Sequence, residues 1–122
     1  MEKTLSLIVP VYNEEEVLET SFSRMDAVMK KIGYPYEIIY VNDGSRDGSM
    51  KILRNIAKNN PQVKVRSFSR NFGHQLAVTA GMDNARGDAL IIIDADLQDP
   101  PEVIAELVKA WENGADIAYG KR

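Results

Sequence analysis

The sequence predicts an α/β domain, a three-layer sandwich with a mainly parallel sheet and helices on both faces. Five short β-type runs, at residues 5–11, 36–41, 63–68, 89–93 and 115–119, alternate with four helical patterns. Such alternation marks βαβ units, whose parallel strands need helical crossovers. The connections are short and rich in Gly, Asp, Asn and Pro, as βα loops should be. A length of 122 residues with 44% hydrophobic content suffices for one core and leaves little room for a second domain.

The first run, Leu5 to Val11, is apolar throughout and reads as a buried strand. Glu14, Glu15 and Glu16 follow it with no small-residue cleavage site, which argues against a signal peptide. Leu18, Phe22, Met25, Met29 and Ile32 then step by four and three, one face of a helix. Lys30 and Lys31 suit the C-terminal end of that helix, and Gly33 is its stop. At its start, Asn13 followed by Glu16 predicts a capping box. The second helix carries Ile52, Leu53 and Ile56; the third, after Gly73, carries Leu76, Ala77 and Ala80. The fourth carries Val103, Ile104, Leu107, Val108 and Trp111. Ahead of it, Asp99 followed by Pro100 and Pro101 predicts an N-cap with proline at the first helical position.

Composition narrows the function classes. The charged residues make up 27% of the chain, are mixed in sign and sum to −3, so no nucleic-acid footprint is present. With no cysteine, disulfides, thiolate zinc sites and cysteine nucleophiles are excluded. Any metal must therefore sit on oxygen or on His74, the single histidine, to which the sequence assigns no catalytic role. No apolar run approaches the roughly 18 residues of a membrane span, so this stretch alone is expected to be soluble. Neither G-x-G-x-x-G after the first strand nor a P-loop motif occurs, so the usual phosphate cradles are missing.

In an open parallel sheet, ligands bind beyond the carboxyl ends of the strands, where strand order reverses. The first strand leads into Pro10-Val11-Tyr12-Asn13-Glu14, the second into Asp43-Gly44-Ser45, and the fourth into Asp94-Ala95-Asp96-Leu97-Gln98. In an extended segment Asp94 and Asp96, two apart, project from the same side. Two such carboxylates suit one hard cation, Mg2+ or Mn2+, which can bridge the protein to a diphosphate. Solvated carboxylates at a strand end are the bland alternative, about as common for an isolated Asp-x-Asp. Asp43 sits where many nucleotide-binding sheets place an acid for ribose hydroxyls, or it is a turn aspartate.

Taken in order, Val9-Pro10-Val11-Tyr12-Asn13-Glu14, Val41-Asn42-Asp43-Gly44-Ser45, Arg70-Asn71-Phe72-Gly73-His74 and Asp94-Ala95-Asp96-Leu97-Gln98-Asp99-Pro100-Pro101-Glu102 resemble the family-two glycosyltransferases of the GT-A fold. The branch they resemble most includes dolichol-phosphate mannose synthase and bacterial undecaprenyl-phosphate glucosyltransferases. By that resemblance Pro10, Tyr12, Glu14 and Asp43 contact the nucleoside, and Asp94 and Asp96 are the catalytic pair that works with a divalent metal on the diphosphate. Gln98 would lie beside the donor, and Arg122 would reach the diphosphate or sugar. The resemblance implies that residues 1–122 are one nucleotide-sugar-binding part of a transferase domain, ending before the acceptor-binding region and inactive alone.

The implied reaction is inverting transfer of a sugar from a nucleotide-diphospho-sugar donor, UDP-glucose or similar, to a polyprenyl phosphate on the cytoplasmic side of a membrane. A homo-oligomer is compatible with this. Two alternatives stay open: a family-two transferase acting on a sugar hydroxyl in surface polysaccharide assembly, and a non-catalytic nucleotide-binding domain whose strand-end acids serve turns and caps.

Overall fold

The computed structural model describes residues 3–96, 100–114 and 117–119, the last three by their backbone alone. The elements run β1 (Leu5–Val11), α1 (Leu18–Ile32), β2 (Tyr36–Asp43), α2 (Ser49–Asn59), β3 (Val63–Phe68), α3 (His74–Asn84), β4 (Ala89–Ile92), α4 (Val103–Glu112) and β5 (Ile117–Tyr119). They form one sheet in the order β3-β2-β1-β4-β5, parallel at every pairing. β1 is central, every residue of it is buried, and the sheet order reverses there.

The strand period of two sorts the core onto two faces. Leu5, Leu7, Val9 and Val11 share one face with Ile38, Tyr40 and Ile91, covered by Leu18, Met25 and Met29 of α1, Leu53 of α2, and Ile104 and Val108 of α4. On the other face Ile8 and Ile92 meet Val78, while Ile39 and Val41 meet Ala77. Both Val78 and Ala77 belong to α3, so helices lie on both faces as expected. Small residues let α3 approach closely: a Cβ at Gly81 would stand 2.4 Å from Ile8 Cγ2.

α1 stops where the sequence places its stop. Gly33 takes φ 94°, a left-handed value, and its N–H donates to Met29 O at 3.3 Å. The helix starts differently: it begins at Leu18 with Val17 as its cap and no side-chain capping bond. The predicted Asn13/Glu16 box does not form, because Asn13 serves a longer-range contact. Its Oδ1 accepts from Arg46 N–H at 2.8 Å, and its own N–H donates to Ser45 Oγ at 2.9 Å. α4 begins at Val103, later than the proline signal suggests, with Glu102 as its cap. The carbonyls of Pro100 and Pro101 accept the N–H groups of Val103 and Ile104, and Asp99 lies outside the described residues. β2 runs two residues past its predicted end to Asp43, and β5 starts at Ile117.

At the amino ends of the strands a buried carboxylate fastens the turn before β4. Glu37 accepts hydrogen bonds from Ser6 Oγ at 2.6 Å, Lys64 Nζ at 2.6 Å and Arg86 N–H at 2.7 Å. Ser6 Oγ in turn accepts from Gly87 N–H at 2.7 Å. One side chain thereby joins β1, β2, β3 and the α3–β4 turn. Burial pushes the Glu37 carboxyl up, but the bonds from Lys64, Ser6 and Arg86 outweigh it and hold the group below its ordinary 4.5.

A depressed carboxyl stabilises the fold fully above its unfolded value, and the contribution is lost as pH falls through 4.5 toward the lower folded value. Glu37→Gln should therefore cost about 1–3 kcal/mol near neutrality and flatten the dependence of stability on pH below 4.5. Urea denaturation at a series of pH values checks both expectations; a variant as acid-sensitive as the parent would contradict the assignment.

Candidate functional site

A cavity of about 360 Å³ opens at the carboxyl ends of β1, β2 and β4, beside the reversal in strand order. Its volume falls within the roughly 300–1,000 Å³ usual for small-molecule sites, and its position is where open parallel sheets bind ligands. It is lined by Pro10, Val11, Tyr12 and Glu14 from the β1 exit, Asp43 from β2, Asn71, Gly73 and His74 from the β3–α3 loop, and Asp94, Ala95 and Asp96 after β4. Six of the eight site residues expected from sequence thus share one cavity. Gln98 and Arg122 lie outside the described residues.

At the β1 exit, Pro10 and Val11 are buried whereas Tyr12 is 44% exposed, an aromatic ring presented to solvent at the rim. Glu14 is held by its backbone, whose N–H donates to Ser49 Oγ at 2.9 Å. Ser49 Oγ, Ser45 Oγ and the Asp47 carboxylate all accept N–H groups of residues 13–15. The β2–α2 loop therefore sets the path of the chain leaving β1. Burial pushes the Asp47 carboxyl up, but hydrogen bonds from Ser49 and Glu15 overcome it and hold the group below its ordinary value.

Asp43 is 3% exposed, and its carboxylate is the anchor of the next loop. Oδ1 accepts from Phe72 N–H at 2.8 Å; Oδ2 accepts from Gly73 N–H at 3.0 Å and Asn71 Nδ2 at 3.1 Å. The turn reading of this aspartate is thus satisfied, yet the residue also lines the cavity. The adjoining Gly44 has φ 70°, and a Cβ there would stand 2.1 Å from the Arg70 carbonyl carbon. Only glycine lets the β2 exit and the β3–α3 loop approach so closely.

The segment after β4 has left the strand before its acids are reached, turning at Ala95 and Asp96. Asp94 and Asp96 still both line the cavity, with buried Ala95 between them. The expected convergence holds, although through a turn and not an extended strand. From the far side His74 Nε2 lies 2.8 Å from Asp94 Oδ1. Sequence reasoning gave His74 and Asn71 no role; their only signal was a place inside the Arg70-to-His74 string.

The donor set suits a hard cation shared with a ligand. Among the described residues no group of three or more His, Cys, Asp or Glu side chains could hold a metal. Asp94 and Asp96 could contribute two carboxylates to such an ion, with a ligand phosphate beside them. Mg2+ commonly binds in this way, through one or two carboxylates plus substrate phosphate.

A shallower depression of about 700 Å³ lies at the opposite ends of the strands, lined in part by Lys30, Tyr36 and Gln62. Those three side chains donate to the buried Asp26 carboxylate at 3.0, 2.5 and 3.0 Å respectively. Burial and the Asp26 contact push the Tyr36 hydroxyl up to about 12. This network closes on itself and reads as structural.

The family model described as "Glycosyl transferase family 2" matches residues 6–122. Among curated proteins, the chain is 51% identical over 117 residues to the "Uncharacterized glycosyltransferase YkcC" of Bacillus subtilis, covering 96% of this chain and 36% of that protein. It is 45% identical over 118 residues to the "Prophage bactoprenol glucosyl transferase homolog" of Escherichia coli, covering 97% and 39%. The chain thus spans well under half the length of these relatives. Among solved structures it is similar to the mannosyltransferase PcManGT of Pyrobaculum calidifontis in complex with GDP-Man and Mn2+. That match has a TM-score of 0.72 and 25% identity, covering 89% of this chain and 32% of the other. Every residue of the cavity falls within the family match.

Two outcomes follow from the loop geometry. Gly44→Ala should destabilise by about 1–3 kcal/mol through its strained φ and further through the collision with Arg70. Gly33→Ala, also left-handed but with no atom within 4 Å of a Cβ, should carry only that backbone strain of about 1–3 kcal/mol; equal costs in denaturant titrations would refute the close-approach account. Asp43→Ala should speed amide exchange at Phe72 and Gly73 roughly tenfold to a hundredfold, the equivalent of a charged hydrogen bond. Unchanged protection there would show that the loop is anchored elsewhere.

Proposed function

The chain belongs to glycosyl transferase family 2, and from that premise we propose that it forms the donor-binding part of an inverting transferase that moves glucose from UDP-glucose, or a similar nucleotide-diphospho-sugar, to a polyprenyl phosphate. One observation carries the reading: Asp94 and Asp96 share a single cavity with Pro10, Tyr12, Glu14 and Asp43 at the reversal in strand order. Helix caps and turns alone give no reason for that convergence. The glucosyl donor and lipid acceptor are favoured by a relative whose name describes a bactoprenol glucosyl transferase homolog, at 45% identity.

In this reading the nucleoside enters along the β1 exit. Tyr12 offers a ring face for stacking, and Pro10 and Glu14 shape the adjoining wall. Asp43 contributes from the floor, one lone pair of its Oδ1 remaining available beyond the Phe72 bond. Asp94 and Asp96 would hold the divalent cation, which when bound offsets the charge of the departing nucleoside diphosphate. Gln98 is assigned to the donor sugar and Arg122 to the diphosphate or sugar, both on the family resemblance alone.

A phosphate acceptor makes modest demands on these residues. Its second ionisation lies near pH 6, so its attacking oxygen is already largely deprotonated at neutral pH. Nothing in the cavity then has to act as a strong base; the residues here position the donor and leave the face opposite the nucleoside diphosphate open to in-line attack. A polyprenyl acceptor places the reaction at a membrane surface, and the family resemblance assigns it to the cytoplasmic side. No helix among the described residues is long and apolar enough to cross a membrane.

Calorimetric titration of UDP-glucose into the 122-residue chain tests the reading. Binding is expected with Mn2+ or Mg2+ and should weaken at least about tenfold on chelation or in Asp96→Ala, the scale of one lost charged contact. Equal affinity with and without metal would remove the aspartates from the proposed role. GDP-glucose run in parallel reports the base preference.

A further inference from the structure

His74 is the one cavity residue whose placement none of the preceding roles explains. It is the first residue of α3, following Gly73 at φ 106°, a backbone value that L side chains rarely adopt. Gly73 N–H is held by Asp43 Oδ2 at 3.0 Å. From that fixed point the imidazole spans from the β3–α3 loop to the β4 exit and meets Asp94 Oδ1 at 2.8 Å. An ionised carboxylate only accepts hydrogen bonds, so Nε2 carries the hydrogen and donates it.

Two ordinary explanations fall short. A partly exposed pair, here 57% for His74 and 15% for Asp94, contributes little to stability. Nor does the helix gain from a histidine at this end, since the macrodipole favours negative groups at an N-terminus. What the contact does accomplish is to restrict the rotation of a carboxylate that lines the cavity.

We propose that His74 is a positioning residue: by donating to Asp94 Oδ1 it orients the Asp94 carboxylate for the divalent cation that accompanies the donor. The inference rests on the reading of Asp94 as a cation ligand and adds a residue to it. Carboxylates that ligate metals are commonly held by a second hydrogen bond, and removal of such a partner typically costs 10-fold to 100-fold in metal affinity. Asp43 belongs to the same chain of contacts, because it fixes the loop from which His74 projects.

The test is Mn2+ affinity, read by electron paramagnetic resonance of free Mn2+ in the presence of saturating UDP. His74→Ala should weaken Mn2+ binding about 10-fold to 100-fold, and His74→Gln, whose amide nitrogen can occupy the place of Nε2, should restore most of it. His74→Phe, which keeps the ring and loses the donor, should behave like His74→Ala. Thermal midpoints of the three variants should match the parent. Parental Mn2+ affinity in His74→Ala, or failure of His74→Gln to outperform His74→Phe, overturns the positioning role while leaving the cation site standing. Absence of Mn2+ binding in the parent overturns the site and this inference together.

Discussion

The site depends on the reversal of strand order at β1. Because β1 has β2 on one edge and β4 on the other, successive crossovers must diverge: α1 and α2 cover one face, and α3 returns across the other. Helices that part in this way leave a gap at the carboxyl end of the central strand. The chain lines that gap with loops, so polar side chains gather there, and the buried Asp43 is offset by three hydrogen-bond donors. A strand order without the reversal would place α3 beside α1 and close the cavity.

Within the gap, one carboxylate organises the rest. Asp43 turns two backbone N–H groups and the Asn71 amide toward itself, which sets Gly73 and hence the start of α3. Gly44 then permits the same loop to lie against the β2 exit. A structural and a ligand-facing role coexist here because they use different valences of one side chain: two oxygens offer about four lone pairs, and three donors leave part of that capacity. Substitution of such a residue would disturb the scaffold and the cavity together, so loss of binding alone could not separate the two.

The strands were legible in the sequence because they are governed by local pattern. A run such as Leu5 to Val11 has a single sensible destination, a sheet covered on both faces. The Gly33 stop was equally legible, since it needs only one left-handed residue. The misread features are those settled by distant partners. Asn13 and Glu16 carry the local signature of a capping box, but Asn13 Oδ1 instead satisfies the N–H of Arg46, 33 residues away. His74 pairs with Asp94 across 20 residues, and nothing in the spacing of a lone histidine forecasts that. The acids of the site were found because strand ends can be counted; the contacts that hold those acids depend on how the loops cross.

Charge is the dominant feature of the cavity's described lining. Its described lining holds four acidic residues, Glu14, Asp43, Asp94 and Asp96, and no lysine or arginine. An anionic diphosphate placed among them would be repelled, at about 4 kcal/mol for each pair of unit charges 4 Å apart at an effective dielectric of 20. Asp43 is held by the loop, and Asp94 meets His74. A divalent cation beside Asp94 and Asp96 would neutralise those two carboxylates and offer a diphosphate a direct ligand. With Asp94 and Asp96 as its carboxylates among the described residues, such an ion would draw on the ligand's own phosphates to complete its shell. Cation and nucleotide sugar would then bind as a unit, and a ligand unable to bring a metal would meet only the repulsion.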